Sequence, residues 1–211
     1  MTPLQDIAAV LVTRGNVDMT RIVESLPYDE IVIWDNSTRP YNLGVLGRWA
    51  AIAETTKPVI FVQDDDCIVQ TRGHEWLRQE YAPGVLTGIM PCDHAVGEAH
   101  CLVGWGAMFD RDLPEHAFAR WLKGGGSVRD MCMGHPDIIV GTLAPFKRLL
   151  AEPEREWHRT MQTLPGYPIP TTVQALPYML APDRMHNADP KHNVDRGRIH
   201  RQALQIMKEE A

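Results

Sequence analysis

The chain is 211 residues long, 44% apolar, with a formal charge of −6. That length suits one medium-sized domain with a real core, and the acidity excludes a surface built to neutralise many nucleic-acid phosphates. No apolar run approaches the roughly 20 residues of a membrane span, so no membrane span is expected.

The start, "MTPLQDIAAVLVTRGN", has no basic leader and carries Asp6. It reads as a first strand rather than a signal peptide. "IAAVLVTRG" is that buried strand with its loop. "VDMTRIVESLP" has helical spacing that Pro27 ends. "EIVIWDNST" is a second buried strand. A helix is expected from about Val45, with Trp49, Ile52 and Ala53 on one side, and "PVIFVQDDD" is the third strand. Further on, "HEWLRQEY" suggests a short helix and "PGVLTGIMP" a strand. "CLVGWGAMFDRDL" suggests a strand beside a ligand, because Gly104 and Gly106 permit close backbone approach. A flexible glycine run, "GGGS", precedes a helix opening near His135–Pro136, a suitable first turn for proline. Prolines punctuate the chain after Ala151, and "RGRIHRQALQIMKEEA" closes it as a helix.

Short apolar strands alternating with helices indicate an α/β domain with a mostly parallel, Rossmann-like central sheet. Residues 1–150 form its core. Residues 151–211 form an irregular C-terminal segment and terminal helix of the same domain. Parallel sheets bind ligands beyond their carboxyl ends, so the tips "TRGN", "DNST" and "QDDD" should share one crevice. Asp64, Asp65 and Asp66 stand at the third tip. Carboxylates grouped there are hard-oxygen ligands for Mg²⁺ or Mn²⁺, although a solvated turn has the same composition.

The four cysteines, Cys67, Cys92, Cys101 and Cys132, form no C-x-x-C pair. This points to free thiols in a reducing, cytoplasmic setting. "CDHAVGEAHC" gathers Cys92, His94, His100 and Cys101, but in no zinc-finger spacing, so no structural zinc is expected.

From "VTRGN" through "IVIWDNST" and "NLGVLGRWAAIAETTKPVIFVQDDD", the order of parts resembles the GT-A glycosyltransferases, over roughly residues 7–145. The resemblance implies a single-domain GT-A sandwich that transfers a sugar from a nucleotide-diphosphate sugar, hexosyltransferase-like, with UDP favoured. It implies that Thr13, Arg14, Asp35, Arg48, Asp64 and Asp65 frame the nucleotide, with Asp35 on the base. Asp64-Asp65-Asp66 matches the family's D-x-D, which places Mn²⁺ or Mg²⁺ on Asp64 and Asp66. "VGWGAMFDR" resembles the strand under donor sugar and acceptor, which marks Trp105 and Gly106. Asp137, just inside a helix, matches the general base of inverting members, with Asp130 its competitor. No accessory domain is evident.

The tail "DRMHNADPKHNVDRGRIH" is cationic in an acidic chain. The resemblance implies a late mobile loop, so Arg184, Lys191 and Arg196 are expected on the diphosphate. His192, ahead of His186, is expected on the metal. Residues from about Asp183 to Arg198 would close as a lid. The acceptor is open among glycan, protein, modified nucleic-acid base and small molecule. Two alternatives remain: a nucleotidyltransferase of similar fold, against which "TRGNVDMTR" is poor in glycine, and a non-catalytic metal- or sugar-binding module.

Overall fold

The computed structural model describes residues 1–91, 100–132, 135–151, 173–176 and 191–210. A six-stranded sheet forms the centre, in the order β2-β1-β3-β6-β5-β7. Its members are β1 (Ile7–Thr13), β2 (Glu30–Asp35), β3 (Val59–Gln63), β5 (Leu86–Pro91), β6 (Ala107–Asp110) and β7 (Phe146–Ala151). β4 (Cys67–Val69) pairs separately with β8 (Val173–Ala175). β1, β2 and β3 are mutually parallel, and β5 is parallel to β7. β6 runs against both its neighbours. The sheet is therefore mixed but mostly parallel, as expected of an α/β chain.

Side chains of a strand alternate between faces. Ala8, Val10, Ile60, Val62, Ala107 and Phe109 enter one core, while Ile7, Ala9, Leu11, Val59, Phe61 and Met108 enter the other. Burying a side chain of this kind contributes about 1.5–3 kcal/mol, and a strand apolar on both sides can satisfy itself only between two helical layers. α1 (Thr20–Ser25) and α3 (Thr71–Glu80) cover the second core. The first is covered by α2 (Leu46–Ala51), α4 (Leu113–Lys123), α6 (Pro136–Leu143) and α7 (His192–Glu210), with α5 (Val128–Cys132) beside α6.

Several expectations are corrected. β2 is half-buried along its whole length, because it is the sheet's edge strand. The sequence reading passed over α4, whose buried Leu113, Ala117 and Trp121 form one stripe. The glycine run is no flexible tether: a β-carbon on Gly124 would lie 2.5 Å from Ile206, and one on Gly126 would overlap Trp121. Gly124 seats α7, and Gly126 packs back on α4. The terminal helix also opens earlier than expected, at His192. Asp195 N–H donates to the Lys191 carbonyl at 2.9 Å, and Ile199, Ala203 and Ile206 are buried. Residues 192–198, assigned above to a mobile lid, are thus the first turns of a docked helix. No helix among the described residues is long and apolar enough to cross a membrane.

Candidate active site

The register aligns Thr13 with Asp35 and Leu11 with Gln63. The three tips therefore lie along one edge, as the parallel order requires. The first two are joined by Asn36, which is 7% exposed. Its amide donates to the carbonyls of Thr13 (3.1 Å) and Gly44 (3.2 Å) and accepts from Leu43 N–H at 2.9 Å. Asp35 folds its own turn, with Oδ1 accepting from Ser37 N–H (2.8 Å) and Ser37 Oγ (2.7 Å). Thr13 is buried with its Oγ1 on Gly15 N–H, while Arg14 is exposed.

At the third tip, Asp64–Asp66 make the turn between β3 and β4. Buried Gln63 closes it, with its Nε2 donating to the Cys67 carbonyl at 2.8 Å. Asp65 and Asp66 turn inward, at 6% and 7% exposure, while the Asp64 side chain is 39% exposed. Asp64 N–H donates to the Gly104 carbonyl at 2.7 Å. Its carboxylate lies against the Gly104 α-carbon, in space that any β-carbon there would take.

Arg48 sits beneath these carboxylates with no exposed surface. Its Nη2 bonds Asp64 Oδ1, and its Nη1 bonds Asp137 Oδ2 at 3.1 Å. A buried cation needs such partners, because desolvation is expensive otherwise. The neighbouring residue on α2, Trp49, donates its indole N–H to Asp137 Oδ1 at 2.9 Å. Asp137 lies in the first turn of α6, with a quarter of its side chain exposed. Burial pushes its carboxyl up to about 6, against the pull of Arg48, with the Asp64 charge adding to the rise. Arg196 on α7 also acts on it and favours the ionised form. The competitor Asp130 is different. It makes a two-pronged pair with Arg198, at 2.5 and 3.2 Å, and that bond holds its carboxyl below the usual range. Of the two acids, only Asp137 has its proton near neutrality, where a general base works best.

Other expected residues fall elsewhere. Arg48 has no exposed surface to offer a nucleoside, and both its terminal nitrogens hold carboxylates. Trp105 is 8% exposed within the second core, and Gly106 packs 2.7 Å from a Val69 methyl if given a β-carbon. Neither forms an open acceptor surface. His192 packs on His135, with ring centroids 4.9 Å apart. Among the described residues no three His, Cys, Asp or Glu side chains gather as a metal site, so His192 does not join Asp64 and Asp66. Lys191 is exposed just ahead of α7. Arg184 and His186 lie outside the described residues, as do Cys92 and His94. Of that same cluster, His100 faces His200 and the Cys101 thiol faces the Leu102 and Lys147 carbonyls.

Sequence reasoning missed Asn36, Gln63 and the role of Trp49. Each was legible only as a polar atom within an apolar or turn segment; the partners of Asn36 and Trp49 include residues 23 and 88 positions away, while Gln63 bonds the Cys67 carbonyl four residues on. No protein-family model matches the chain, and no curated protein matches it.

Proposed function

We propose that the chain is a GT-A-type glycosyltransferase that takes a nucleotide-diphosphate sugar, with a UDP-sugar favoured, and inverts at the anomeric carbon. One observation carries this reading: Asp64, at a strand tip, and Asp137, at a helix start 73 positions later, meet on the same buried Arg48. A donor-side carboxylate and a base tuned near neutrality are thereby held a guanidinium's width apart, on the edge where parallel sheets bind ligands.

The residues divide the work as follows. Thr13, Arg14 and Asp35 frame the nucleoside at the first two tips. The acceptor hydroxyl docks against the exposed side of Asp137. Asp137 takes its proton as the new oxygen–carbon bond forms, and the bond from the sugar to the diphosphate breaks. Arg196 in the first turns of α7 and Lys191 just ahead of it balance the charge of the departing nucleoside diphosphate. Asp64 and Asp66 are the protein oxygens for Mn²⁺ or Mg²⁺. Such ions are commonly held by one or two carboxylates plus substrate phosphates rather than by a complete protein cage. A bound ion would supply charge neutralisation at the diphosphate.

A screen of nucleotide sugars for Mn²⁺-dependent donor hydrolysis tests the reading without knowledge of the acceptor. Hydrolysis of one donor, lost in Asp137→Asn and Asp64→Asn, supports it. Metal-independent nucleotide binding with no turnover favours the non-catalytic module, in which the Arg48 pairs are structural.

A further inference from the structure

We propose that Trp49 is a positioning residue for Asp137: its indole N–H holds one carboxylate oxygen while Arg48 holds the other, fixing the plane in which the base accepts a proton. This rests on the assignment of Asp137 as the base.

The geometry is specific. Arg48 and Trp49 are consecutive on α2, and successive helix residues project about 100° apart. They nevertheless reach the same carboxylate, Nη1 to Oδ2 at 3.1 Å and Nε1 to Oδ1 at 2.9 Å. Rotating that carboxylate would break both bonds. The indole is itself immobilised, 5.7 Å from the Phe109 ring on β6 and edge-on to Phe118 on α4 at 6.0 Å. At 7% exposure it has little freedom to turn. An indole N–H can only donate. With one donor from these two side chains on each oxygen, the carboxylate has a second lone pair on each, and a quarter of the side chain is exposed. The charged groups acting on Asp137 are Arg48 from α2, Asp64 from the β3–β4 turn and Arg196 from α7. Trp49 adds the uncharged donor and favours the ionised form as they do not all do.

Trp49→Phe removes the N–H and keeps an aromatic ring between Phe109 and Phe118. The first measurement needs no substrate. In a ¹H–¹⁵N spectrum of the wild-type protein, the Trp49 indole N–H is identified among six tryptophans by its loss in that variant. Its shift should titrate with a midpoint near the Asp137 value and stop titrating in Asp137→Asn. The second measurement is the pH profile of donor hydrolysis. Trp49→Phe should move its acid limb upward by about one unit, lowering kcat at pH 6 about fivefold with the donor KM unchanged. A packing role alone would leave the limb in place. An indole resonance that ignores Asp137, or a limb unmoved in the folded variant, overturns the proposal. If Trp49→Phe fails to fold, the six indole resonances are titrated in the wild type and in Asp137→Asn, and the one whose titration disappears in the variant is that of the indole on Asp137; no such resonance overturns the proposal. Absence of any donor turnover counts against the glycosyltransferase reading, while the titration still decides whether Trp49 holds Asp137.

Discussion

Asp64 and Gly104 share one space: the carboxylate of the first occupies the position where a β-carbon on the second would stand. Glycine at 104 is therefore required by the side chain opposite rather than by its own backbone angles. Gly104→Ala should cost only about 1 kcal/mol of stability, because a half-exposed carboxylate can swing away. It should also pull Asp64 off Arg48 and weaken binding of Mn²⁺–UDP at least tenfold. Chemical denaturation and calorimetric titration of the same variant separate the two effects; equal affinity in both proteins would detach Asp64 from the donor.

Asp137 gives opposite pH signatures in stability and in activity. Its carboxyl is raised from the ordinary 3.8 to about 6, first by burial. The folded chain thus holds this proton more tightly than the unfolded chain. The associated stability is fully present below about 3.8 and is lost as pH rises through about 6. On the proposed role of Asp137 as base, turnover should rise over the same interval, because the carboxylate is the form that accepts a proton. Asp137→Asn should flatten that limb and reduce kcat by about 10²–10⁴-fold. An unaltered pH profile in this variant would assign the acid limb to another group.

Removing Arg48 leaves two carboxylates facing each other without their cation. Arg48→Met should destabilise the fold by about 3 kcal/mol, the lower end for breaking a buried pair, because both acids keep some access to water. Adding Asp137→Asn should restore part of the loss. Urea midpoints of the single and double variants measure this; additive losses would show that Arg48 and Asp137 are not energetically coupled.

Amides of residues 195–198 should exchange slowly without nucleotide, since Asp195 N–H is already bonded back to the Lys191 carbonyl and α7 is docked by Ile199, Ala203 and Ile206 and clasped by the Arg198–Asp130 pair. Gly124→Ala should raise their exchange rates and cost about 1–3 kcal/mol, because its β-carbon meets Ile206 at 2.5 Å. Rapid exchange here in the unliganded wild type, slowed by Mn²⁺–UDP, would reinstate the lid.

The first three strands and their shared edge were legible in the sequence because apolar runs end abruptly in polar tips. Asp64 was legible as an acid at such a tip, and Asp137 as an acid in the first turn of a helix. Arg48 was visible too, but not its direction, because nothing local tells a helix arginine facing ligand from one facing carboxylates. Trp49 looked like core and is core; its N–H finds Asp137 only after α2 and α6 pack. The reversal of β6 was equally hidden, since a strand's composition carries no sign of its direction. The tail misled because its cationic run drew attention from the apolar residues further along α7 that hold it down.

That reversed strand also dictates an order of assembly. β6 lies between β3 and β5, yet it follows both in the chain. Until residues 107–110 insert, the outer edge of Val59–Gln63 has no partner, and β5 and β7 have nothing to attach them to the N-terminal strands. A chain halted in this interval displays an apolar edge ready to pair with a second chain. The same insertion carries Gly104 up to Asp64, so the segment that closes the sheet also shapes the carboxylate's seat, and the half-made protein is sticky before it is competent.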